Sequence, residues 1–506
     1  MALVDAGRPD TSRGGPERLA LDAGEQYRFR FEMDACIGCH SCEVACAEQN
    51  SNPVGVNWRR VGELEGGTFP DARRFNLSMA CNHCLEPTCL SGCPTNAYVK
   101  LSNGIVAHHA EDCIGCQYCI WNCPYEVPVF NRQRRIVTKC DLCQPRLAAG
   151  SSPACVEACP THAISVEKVN IAAWRADHHD ADAPGLPPAD ITLSTTNIVL
   201  PAAMPAGTRS VVEDRVAPAE PHWPLVAVTL LTQLCLGALA ATVILNVLAV
   251  HHAGAERPDV ARGAAVAALA SVVAIGVSLL HLGRPAAAWK ALRNLRRSWL
   301  SREVLLFGAL AGASCAYAVA LAARGQSSFG ALALGVVAVV TGVAGIYASG
   351  RLYMLPARPV WHSPRSIVMF YASALATGPL LVTLAAAPSG DGRRALFLLG
   401  AAGALLQLGA VGHLVAAIRS GRGREFTLTG RLLLGRFRVL FAFRVAALVL
   451  ALGGCAWGAV EPAGRQGAPL TVALLVVAAA GETAGRYLFF VTVTPMTAGR
   501  RFSAVG

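Results

Sequence analysis

Long apolar stretches fill the second half of the chain, and charged residues are nearly absent from them. After Pro224 eight such segments can be counted, each long enough to cross a hydrocarbon layer of about 30 Å as a helix that rises about 1.5 Å per residue. They lie at roughly 225–250, 260–281, 303–322, 330–350, 366–387, 394–418, 436–459 and 469–493. The pattern predicts an all-α membrane bundle of about eight helices within residues 225–506.

The first half shows the shorter period of β-strands. The alternating sequence Tyr-Arg-Phe-Arg-Phe at 27–31 predicts a half-buried strand. A second pair of strands is expected at 99–101 and 105–107, joined by a tight turn at Asn103-Gly104. Short strands between cysteine-rich loops are typical of a ferredoxin-like fold. Residues 25–182 are therefore predicted to form an α+β ferredoxin-like domain.

Two segments differ in composition from both domains. Residues 1–24 mix arginine with Gly, Pro and Asp, contain neither an apolar signal core nor a twin-arginine pair, and predict a disordered tail. Residues 183–224 are rich in Pro and Ala, with a strand-like stretch at 191–200. We interpret this second segment as an extended strap that lies along a partner, and a flexible linker is the equal alternative.

The net charge of +11 does not indicate nucleic-acid binding, because the basic residues cluster in short loops between apolar segments. The loops after the second, fourth and sixth segments and the C-terminus contain Arg284, Lys290, Arg293, Arg296, Arg297, Arg302, Arg351, Arg358, Arg365, Arg419, Arg422, Arg424, Arg431, Arg500 and Arg501. By the positive-inside rule these loops are cytoplasmic. With an even number of spans, the N-terminal domain is then expected on the cytoplasmic side of a bacterial inner membrane.

Sixteen of the 19 cysteines form four groups in the first half of the chain. The first and third groups have the spacing CxxCxxCxxxC, the second has CxxCxxxxCxxxC, and the fourth has a long insertion. The last three groups end in Cys-Pro. The groups are Cys36, Cys39, Cys42 and Cys46; Cys81, Cys84, Cys89 and Cys93; Cys113, Cys116, Cys119 and Cys123; and Cys140, Cys143, Cys155 and Cys159.

This spacing suits cubane iron–sulfur clusters. Three thiolates on one tight loop reach three corners of a cubane, and the fourth cysteine is expected to begin a departing helix and to reach a neighbouring cubane. Zinc and disulfides are less favoured, because tetrahedral zinc does not require a triple CxxCxxC and the inferred cytoplasmic location opposes disulfides. Sixteen ligands predict four [4Fe–4S] clusters, and Cys235, Cys315 and Cys455 are expected to be packing residues.

Residues 30 to about 200, with Cys-Pro-Thr at Cys93 and Cys159 and Cys-Pro-Tyr at Cys123, resemble the four-cluster electron-transfer subunit of molybdopterin oxidoreductases of the dimethyl sulfoxide reductase type. In that family the first cysteine group pairs with the fourth and the second with the third. The resemblance implies four ligand sets: set one is Cys36, Cys39, Cys42 and Cys159; set two is Cys140, Cys143, Cys155 and Cys46; set three is Cys81, Cys84, Cys89 and Cys123; set four is Cys113, Cys116, Cys119 and Cys93.

The second half resembles the haem-free membrane anchor of the same enzymes, which binds menaquinol. The resemblance rests on four short motifs: His281-Leu-Gly-Arg-Pro285, Ser301-Arg-Glu303, Trp361-His-Ser-Pro364 and Ala480-Gly-Glu482-Thr-Ala-Gly-Arg486. It implies that two subunits are fused in one chain, with the quinone pool, the lipid bilayer and a molybdopterin-containing catalytic subunit as partners.

His281, which ends the second apolar segment, and Glu303, which begins the third, are the candidate quinol site. Quinol oxidation releases two electrons and two protons, so it needs a proton acceptor and an ionisable relay. An interfacial histidine and a helix-start glutamate that satisfies the helix dipole are the alternative. Glu482 and Arg486 are further candidates, because ionisable residues at membrane depth are costly, but their spacing also suits an internal ion pair. Only His413 lies well inside a segment, so no haem is expected.

Together these patterns predict a subunit that passes electrons from menaquinol through four clusters to a separate molybdopterin-containing reductase subunit. Whether the chain is itself a quinol-oxidising enzyme or a non-catalytic subunit stays open. One alternative is the reverse flow, from a formate-dehydrogenase-like partner to quinone. Another is a tether or assembly module. A glycine fingerprint for a hydride-carrying cofactor is missing from the sequence.

Overall fold

The computed structural model describes residues 21–189, 191–212, 214, 216–251, 258–324, 328–460 and 467–496. These residues form two compact units, which divide between residues 215 and 216, and residues 495 and 496 belong with the first unit. The predicted fold class is confirmed: a ferredoxin-like unit of short strands and helices is followed by a bundle of apolar helices. Most of the predicted tail, residues 1–20, and the basic Arg500 and Arg501 lie outside the described residues.

The first unit contains two three-stranded sheets and two hairpins among its described residues. In the first sheet, β1 pairs antiparallel with β8 and parallel with β9, and in the second β2 lies between β3 and β10. The strands are β1 Glu25–Glu32, β2 Arg60–Gly66, β3 Arg73–Met79, β4 Tyr98–Lys100, β5 Val106–His108, β6 Val129–Asn131, β7 Ile136–Thr138, β8 Ile164–Asn170, β9 Asn197–Val199 and β10 Arg209–Ser210.

Two strand predictions are confirmed. In β1 the aromatic side chains of Phe29 and Phe31 are buried, while the intervening Arg30 is partly exposed. The predicted pair near 99–107 is the hairpin β4–β5, in which Val99 faces Ala107. Its turn contains Gly104 with a φ of 84°, a backbone conformation that glycine adopts without strain.

Short helices follow the cysteine loops of the first unit. They are α1 Ser41–Gln49, α2 Thr88–Gly92, α3 Tyr118–Asn122, α4 Gln144–Ala148, α5 Ala154–Glu157 and α6 Ile171–Ala176. The expectation that the last cysteine of a group begins a departing helix is wrong for all four groups. Cys46 lies within α1 and Cys159 follows the end of α5. Cys93 and Cys123 lie at the C-terminal caps of α2 and α3. The prolines that follow them push the preceding residue out of the helical conformation.

The segment that we interpret as a strap contributes strands to the first unit. Within the strand-like stretch at 191–200, only Asn197–Val199 is a strand, and it pairs with β1. Further along, β10 pairs with β2. Trp174 also donates a hydrogen bond to the Ser194 carbonyl at 2.8 Å. The part of the segment before residue 211 is therefore packed structure rather than a contact-free linker.

The second unit contains eight helices that are long and apolar enough to cross a membrane, counted over the described residues, and this confirms the eight predicted segments. They are α7 Trp223–His251, α8 Val260–Ser278, α9 Trp299–Arg324, α10 Phe329–Tyr353, α11 Pro364–Ala386, α12 Gly390–Arg419, α14 Arg438–Val460 and α15 Gly467–Val491. A short helix, α13 Arg424–Gly430, continues into a π-helical turn at Arg431–Arg436 before α14.

Helices α7 and α11 form the centre of the bundle, since α7 packs against α8, α10, α11 and α15 while α11 also packs against α12 and α15. One apolar core surrounds Leu239 and Tyr317, and another surrounds Phe397. Cys235 and Cys455 are buried in these two cores, as predicted for packing residues. The protein is therefore an integral membrane protein.

Candidate cofactor sites

The first and third cysteine groups share one loop conformation. In each, a glycine between the first two cysteines has a positive φ, 68° at Gly38 and 71° at Gly115. The residue after the second cysteine is also left-handed, with φ of 60° at His40 and 62° at Gln117. At Gly38 a Cβ would lie 2.7 Å from Oδ1 of Asn76, so glycine is needed both for the turn and for this close approach. The backbone of both loops therefore makes the same left-handed turns next to its cysteines.

The structure brings the thiols of set one together. Burial raises the pKa of Cys36, and the nearby thiols of Cys42, Cys159 and Cys39 raise it further. Cys159 is 117 residues or more from the others in sequence, so this neighbourhood depends on the fold. Cys39 is the exposed member, and hydrogen bonding from Ser41 lowers its pKa.

Set two is assembled in the same way. Burial raises the pKa of Cys46 to about 12, and the thiols of Cys155 and Cys143 contribute to the rise. The fourth member, Cys140, has both Cys46 and Cys155 as electrostatic neighbours. The last cysteine of the first group therefore lies among the cysteines of the fourth group.

In sets three and four, the second and third cysteine groups exchange their last cysteines. Burial and the neighbouring Cys81 and Cys123 thiols raise the pKa of Cys84 to about 12. In set four, burial and then the Cys93 and Cys113 thiols raise the pKa of Cys116. These neighbourhoods match the pairing that the resemblance implies, while the assignment of each cysteine as a ligand stays a prediction.

One small cavity of the first unit lies among the thiols of set three. Its lining includes all four thiols of the set, Cys81, Cys84, Cys89 and Cys123. In the part of the chain that the structure describes, no three His, Cys, Asp or Glu side chains converge closely enough to bind a single metal ion. A tetrahedral zinc site would bring sulfurs to about 2.3 Å from one ion. Thiols spread around a cavity fit the larger cubane.

The four sets are arranged in a row. Cys42 of set one has Cys155 of set two as a neighbour. Cys140 of set two lies near Cys81 of set three. The buried Tyr98 ring is near both Cys89 of set three and Cys119 of set four. Sets one to four therefore follow one another in order through the unit.

Two buried cations lie between consecutive sets, and neither was predicted from the sequence. Arg59 is 2% exposed and Lys139 is 3% exposed. Burial opposes the charge of Arg59, but the thiols of Cys155, Cys42, Cys140 and Cys46 raise its pKa. For Lys139, burial is likewise outweighed by Cys81, Cys89 and Cys140, which raise the pKa. Lys139 was detectable as the residue before Cys140, whereas no sequence pattern marks Arg59.

Hydrogen bonds fix both cations. The Arg59 guanidinium donates to Ser78 Oγ at 3.0 Å and lies 4.5 Å from the ring centroid of Phe29. The Lys139 ammonium donates to the carbonyls of Val106 and, at 2.8 Å, of Cys140. Neither cation forms an ion pair with a carboxylate within the described residues. Their positive charge is therefore available to anionic groups held by the thiols.

The candidate quinol residues lie at the ends of two neighbouring helices. His281 ends a 3₁₀ turn, Leu279–His281, that follows α8, and Glu303 is in the first turns of α9. The His281 Nδ1 is 2.6 Å from the Ser278 carbonyl oxygen. Glu303 has the buried Ser349 of α10 as a neighbour. Within the described residues no direct hydrogen bond joins His281 to Glu303, so their joint role stays a prediction.

Glu482 and Arg486 do not form the direct ion pair that their spacing allowed. Glu482 Oε2 instead accepts hydrogen bonds from Ser373 and Gln407. Arg486 donates to Gln233 at 2.8 Å, and its guanidinium lies 3.9 Å from the ring centroid of Phe370. Both side chains are buried. Competing partners from other helices therefore separate the two charges.

Comparison with known families agrees with this architecture. A family described as "4Fe-4S dicluster domain" matches residues 73–169. A second, described as "DMSO reductase anchor subunit (DmsC)", matches residues 218–491, which is more than half of the protein. The two matches fall in the two structural units.

Individual relatives match the first unit. The B subunit of the anaerobic dimethyl sulfoxide reductase of Haemophilus influenzae is 38% identical over 177 residues, which is 33% of this protein and 86% of that relative. The corresponding B subunit of Escherichia coli is 38% identical over 147 residues, 28% of this protein and 72% of that relative. The formate dehydrogenase iron-sulfur subunit of Haemophilus influenzae is 38% identical over 172 residues, 30% of this protein and 55% of that relative.

One conclusion follows from the cysteine loops with their [4Fe–4S] motifs, from the eight-helix bundle and from these matches. The protein belongs to the dimethyl sulfoxide reductase family, as an iron–sulfur electron-transfer subunit fused to its membrane anchor.

Proposed function

We propose that this protein oxidises menaquinol in its membrane unit and passes the electrons through four [4Fe–4S] clusters to a separate molybdopterin-containing reductase subunit. The observation that carries the proposal is the row of four thiol sets, in which each set draws its last cysteine from another group. Such a row provides short steps from cluster to cluster. Each cluster, when bound, takes up and releases one electron at a time.

The protein supplies ligands and charge. Burial raises the pKa of Cys46 and Cys84 to about 12, so these thiols are protonated at neutral pH unless iron displaces the proton. Arg59 and Lys139 then stabilise the added negative charge on the thiolate-bound clusters. Because Lys139 lies between sets two and three, it favours the reduced state of the clusters on both sides.

At the quinol site, the hydrogen-bond pattern of His281 defines a proton acceptor. A carbonyl oxygen can only accept, so Nδ1 donates its hydrogen to Ser278. In the neutral ring Nε2 is then free of hydrogen and accepts the proton of a quinol hydroxyl. Glu303, which lies beside Ser349, is the second proton carrier in the proposal. In this proposal the two protons of the quinol leave through His281 and Glu303, and its two electrons leave through the clusters.

The catalytic partner and the membrane side are parts of the same proposal. The two B-subunit relatives are named as parts of dimethyl sulfoxide reductase, which supports a molybdopterin-containing partner for this protein. The arginine-rich loops support a cytoplasmic cluster unit in a bacterial inner membrane. In sealed inverted vesicles, protease added outside is expected to cleave the cluster unit, and its protection would reverse the assigned side.

A quinol-linked reduction assay on the purified complex tests the function. We expect His281→Ala to slow cluster reduction by a menaquinol analogue about a hundredfold or more, the lower end of what a general base usually contributes. Reduction by dithionite should be unchanged. The matched control is His413→Ala, since His413 lies on the exposed side of α12. An unchanged rate in His281→Ala would support the tether alternative instead.

Reverse electron flow is the second candidate, and the similarity to a formate dehydrogenase iron-sulfur subunit favours it. The direction of flow follows from the reduction potentials of the clusters relative to the quinone. Clusters titrated by electron paramagnetic resonance well below the menaquinone potential would indicate a low-potential donor such as formate. Potentials spread around or above the menaquinone potential would support quinol oxidation.

A further inference from the structure

A cavity of about 400 Å³ lies among α7, α11 and α15 of the membrane unit, and its lining includes none of the residues of the proposed quinol site. Leucines from all three helices line it, among them Leu230, Leu381 and Leu475. Its polar lining residues are Ser373, Thr377, Glu482 and Thr483. The cavity is therefore a mainly apolar space with a small polar area.

The hydroxyl groups of that polar area are already engaged. Thr377 Oγ1 donates to the Ser373 carbonyl at 2.8 Å, and Thr483 Oγ1 donates to the Ala479 carbonyl at 2.8 Å. The Ser373 hydroxyl is 2.6 Å from Glu482 Oε2 and donates to it. In contrast, Glu482 Oε1 has no hydrogen-bond partner among the described residues, although Glu482 is only 2% exposed. Glu482 thus lines the cavity and has one carboxylate oxygen that is buried and unsatisfied.

A rigid network fixes the orientation of this carboxylate. Gln407 Nε2 donates to Glu482 Oε2 at 3.1 Å, and its own Oε1 accepts from Arg444 Nη2 at 2.8 Å. Arg444 also donates to the Gly481 carbonyl at 3.0 Å and lies 3.9 Å from Glu482 Oε2. These contacts come from α12 and α14, so four helices hold the carboxylate in place. Its free oxygen is a built acceptor and not a mobile side-chain end.

We propose that this cavity is a second binding site for a hydroquinone-class molecule, whose hydroxyl donates to Glu482 Oε1 and whose apolar body lies against the leucines. A buried acceptor without a partner is costly, and a ligand O–H removes that cost. The site is distinct from the one formed by His281 and Glu303. It rests on the proposed function only in the choice of a quinol as the hydroxyl-bearing ligand, and no redox step is assigned to it.

The charge of the lining argues against a phospholipid. The cavity lining includes neither lysine nor arginine, and its one charged member is an acid. A phosphate group would be repelled by Glu482 and would find no cation beside it. A neutral ring with a hydroxyl group avoids this repulsion while it fills the same apolar space. The cavity chemistry therefore selects a neutral donor.

Binding of a photoreactive naphthohydroquinone to the purified complex in nanodiscs tests the site. We expect two classes of binding site in the unchanged protein, with crosslinks in peptides of α7 and α15 for one of them. Ala479→Leu fills the cavity from its wall and should weaken this class at least tenfold while leaving the class that His281→Ala removes. Glu482→Gln should weaken it as well. Ala473→Leu is the matched control, because Ala473 is an exposed residue of α15 outside the cavity.

The outcomes separate this site from the proposed quinol site. Two classes that both persist in Ala479→Leu, or a single class that only His281→Ala removes, would overturn the second site. A single class lost in Ala479→Leu but unchanged in His281→Ala would support the second site and count against the proposed quinol residues. A cavity found to hold phospholipid that the naphthohydroquinone does not displace would also overturn the proposal.

Discussion

At the scale of single residues, the buried cations of the cluster unit are the least expected feature. Arg59 and Lys139 each lose their hydration on burial, a cost that only nearby negative charge can offset. Within the described residues neither cation forms an ion pair with a carboxylate. Thiols are the main negative groups around both, and Asp141 adds a smaller contribution at Lys139. Their placement is therefore understandable only if those thiols carry charge, as ligands of iron do.

Replacing Lys139 should change the reduction potentials of its neighbours. Lys139→Met keeps the length of the side chain and removes its charge, so reduced clusters in sets two and three lose stabilisation. We expect their potentials to fall by on the order of 100 mV, the effect of a unit charge about 6–7 Å away at an effective dielectric constant near 20. Redox titration by electron paramagnetic resonance measures the change.

The control for this experiment is Lys168→Met. Lys168 lies on β8 and forms a half-exposed ion pair with Glu25 at 3.6 Å, so its loss should leave all potentials unchanged. Potentials that stay the same in Lys139→Met would show that the ammonium does not act on the clusters.

The exchange of last cysteines can be tested by pairs of substitutions. Cys36→Ala and Cys159→Ala fall in the same set, so the double variant should lose about four iron atoms, no more than one cubane contains. Cys36→Ala with Cys143→Ala affects two sets and should lose about eight. Iron analysis of anaerobically purified protein decides between these results. Equal losses in the two double variants would contradict the assigned sets.

At the scale of elements, a close backbone contact joins the two central helices of the membrane bundle. Gly237 of α7 and Gly378 of α11 bring the two backbones together, and a Cβ at Gly237 would clash with the Ala374 carbonyl oxygen. Small residues at such a contact allow van der Waals packing that lipid alone cannot replace. The close packing of α7 against α11 thus depends on two glycines that are far apart in sequence.

Enlarging this contact should destabilise the bundle. We expect Gly237→Val to cost about 1–3 kcal/mol or more, because overpacking here meets backbone atoms that cannot rotate away. Thermal loss of the helical circular dichroism signal in detergent would measure the effect. Gly308→Val in α9 is the control, since its Cβ would meet no atom within 4 Å. A similar loss in both variants would attribute the effect to helix propensity or solubility.

The secondary-structure elements also show how much of the fold could be predicted from the sequence. The alternation at 27–31 and the Asn-Gly turn at 103–104 predicted strands correctly, because a local period and a local turn determine them. The eight apolar segments predicted the spans for the same reason. The short strands β9 and β10 were not predicted in place, since each consists of two or three residues and exists only through pairing with β1 and β2.

At the scale of the whole molecule, the cysteine spacing predicted the cofactor chemistry, but it predicted the side chains around the sites less well. The groups are local patterns, and the family resemblance implied how they pair. The partners of Glu482 could not be predicted, because Ser373, Gln407 and Arg444 come from three other helices and only folding brings them together. The same limit applies to Arg59, whose neighbouring thiols come from the first and the fourth cysteine groups.

Loss of iron should therefore affect the two units differently. The largest apolar core of the cluster unit includes Cys42, Cys81 and Cys140 among its buried members, so the clusters are part of its interior. The bundle contains cores of its own that involve no predicted ligand. Oxidative removal of iron with a chelator should make residues 25–212 sensitive to protease while α7 to α15 keep their helical signal.

The physical reason is that the thiols cannot replace the clusters with their own charge. With pKa values of about 12 at Cys46 and Cys84, the iron-free thiols stay protonated at neutral pH and the cavities between them lose their contents. Limited proteolysis with mass spectrometry, run beside circular dichroism on the same sample, follows both units. Protease resistance of the iron-free cluster unit would show that its strands alone stabilise it, and a parallel loss of helical signal would show that the bundle depends on the clusters as well.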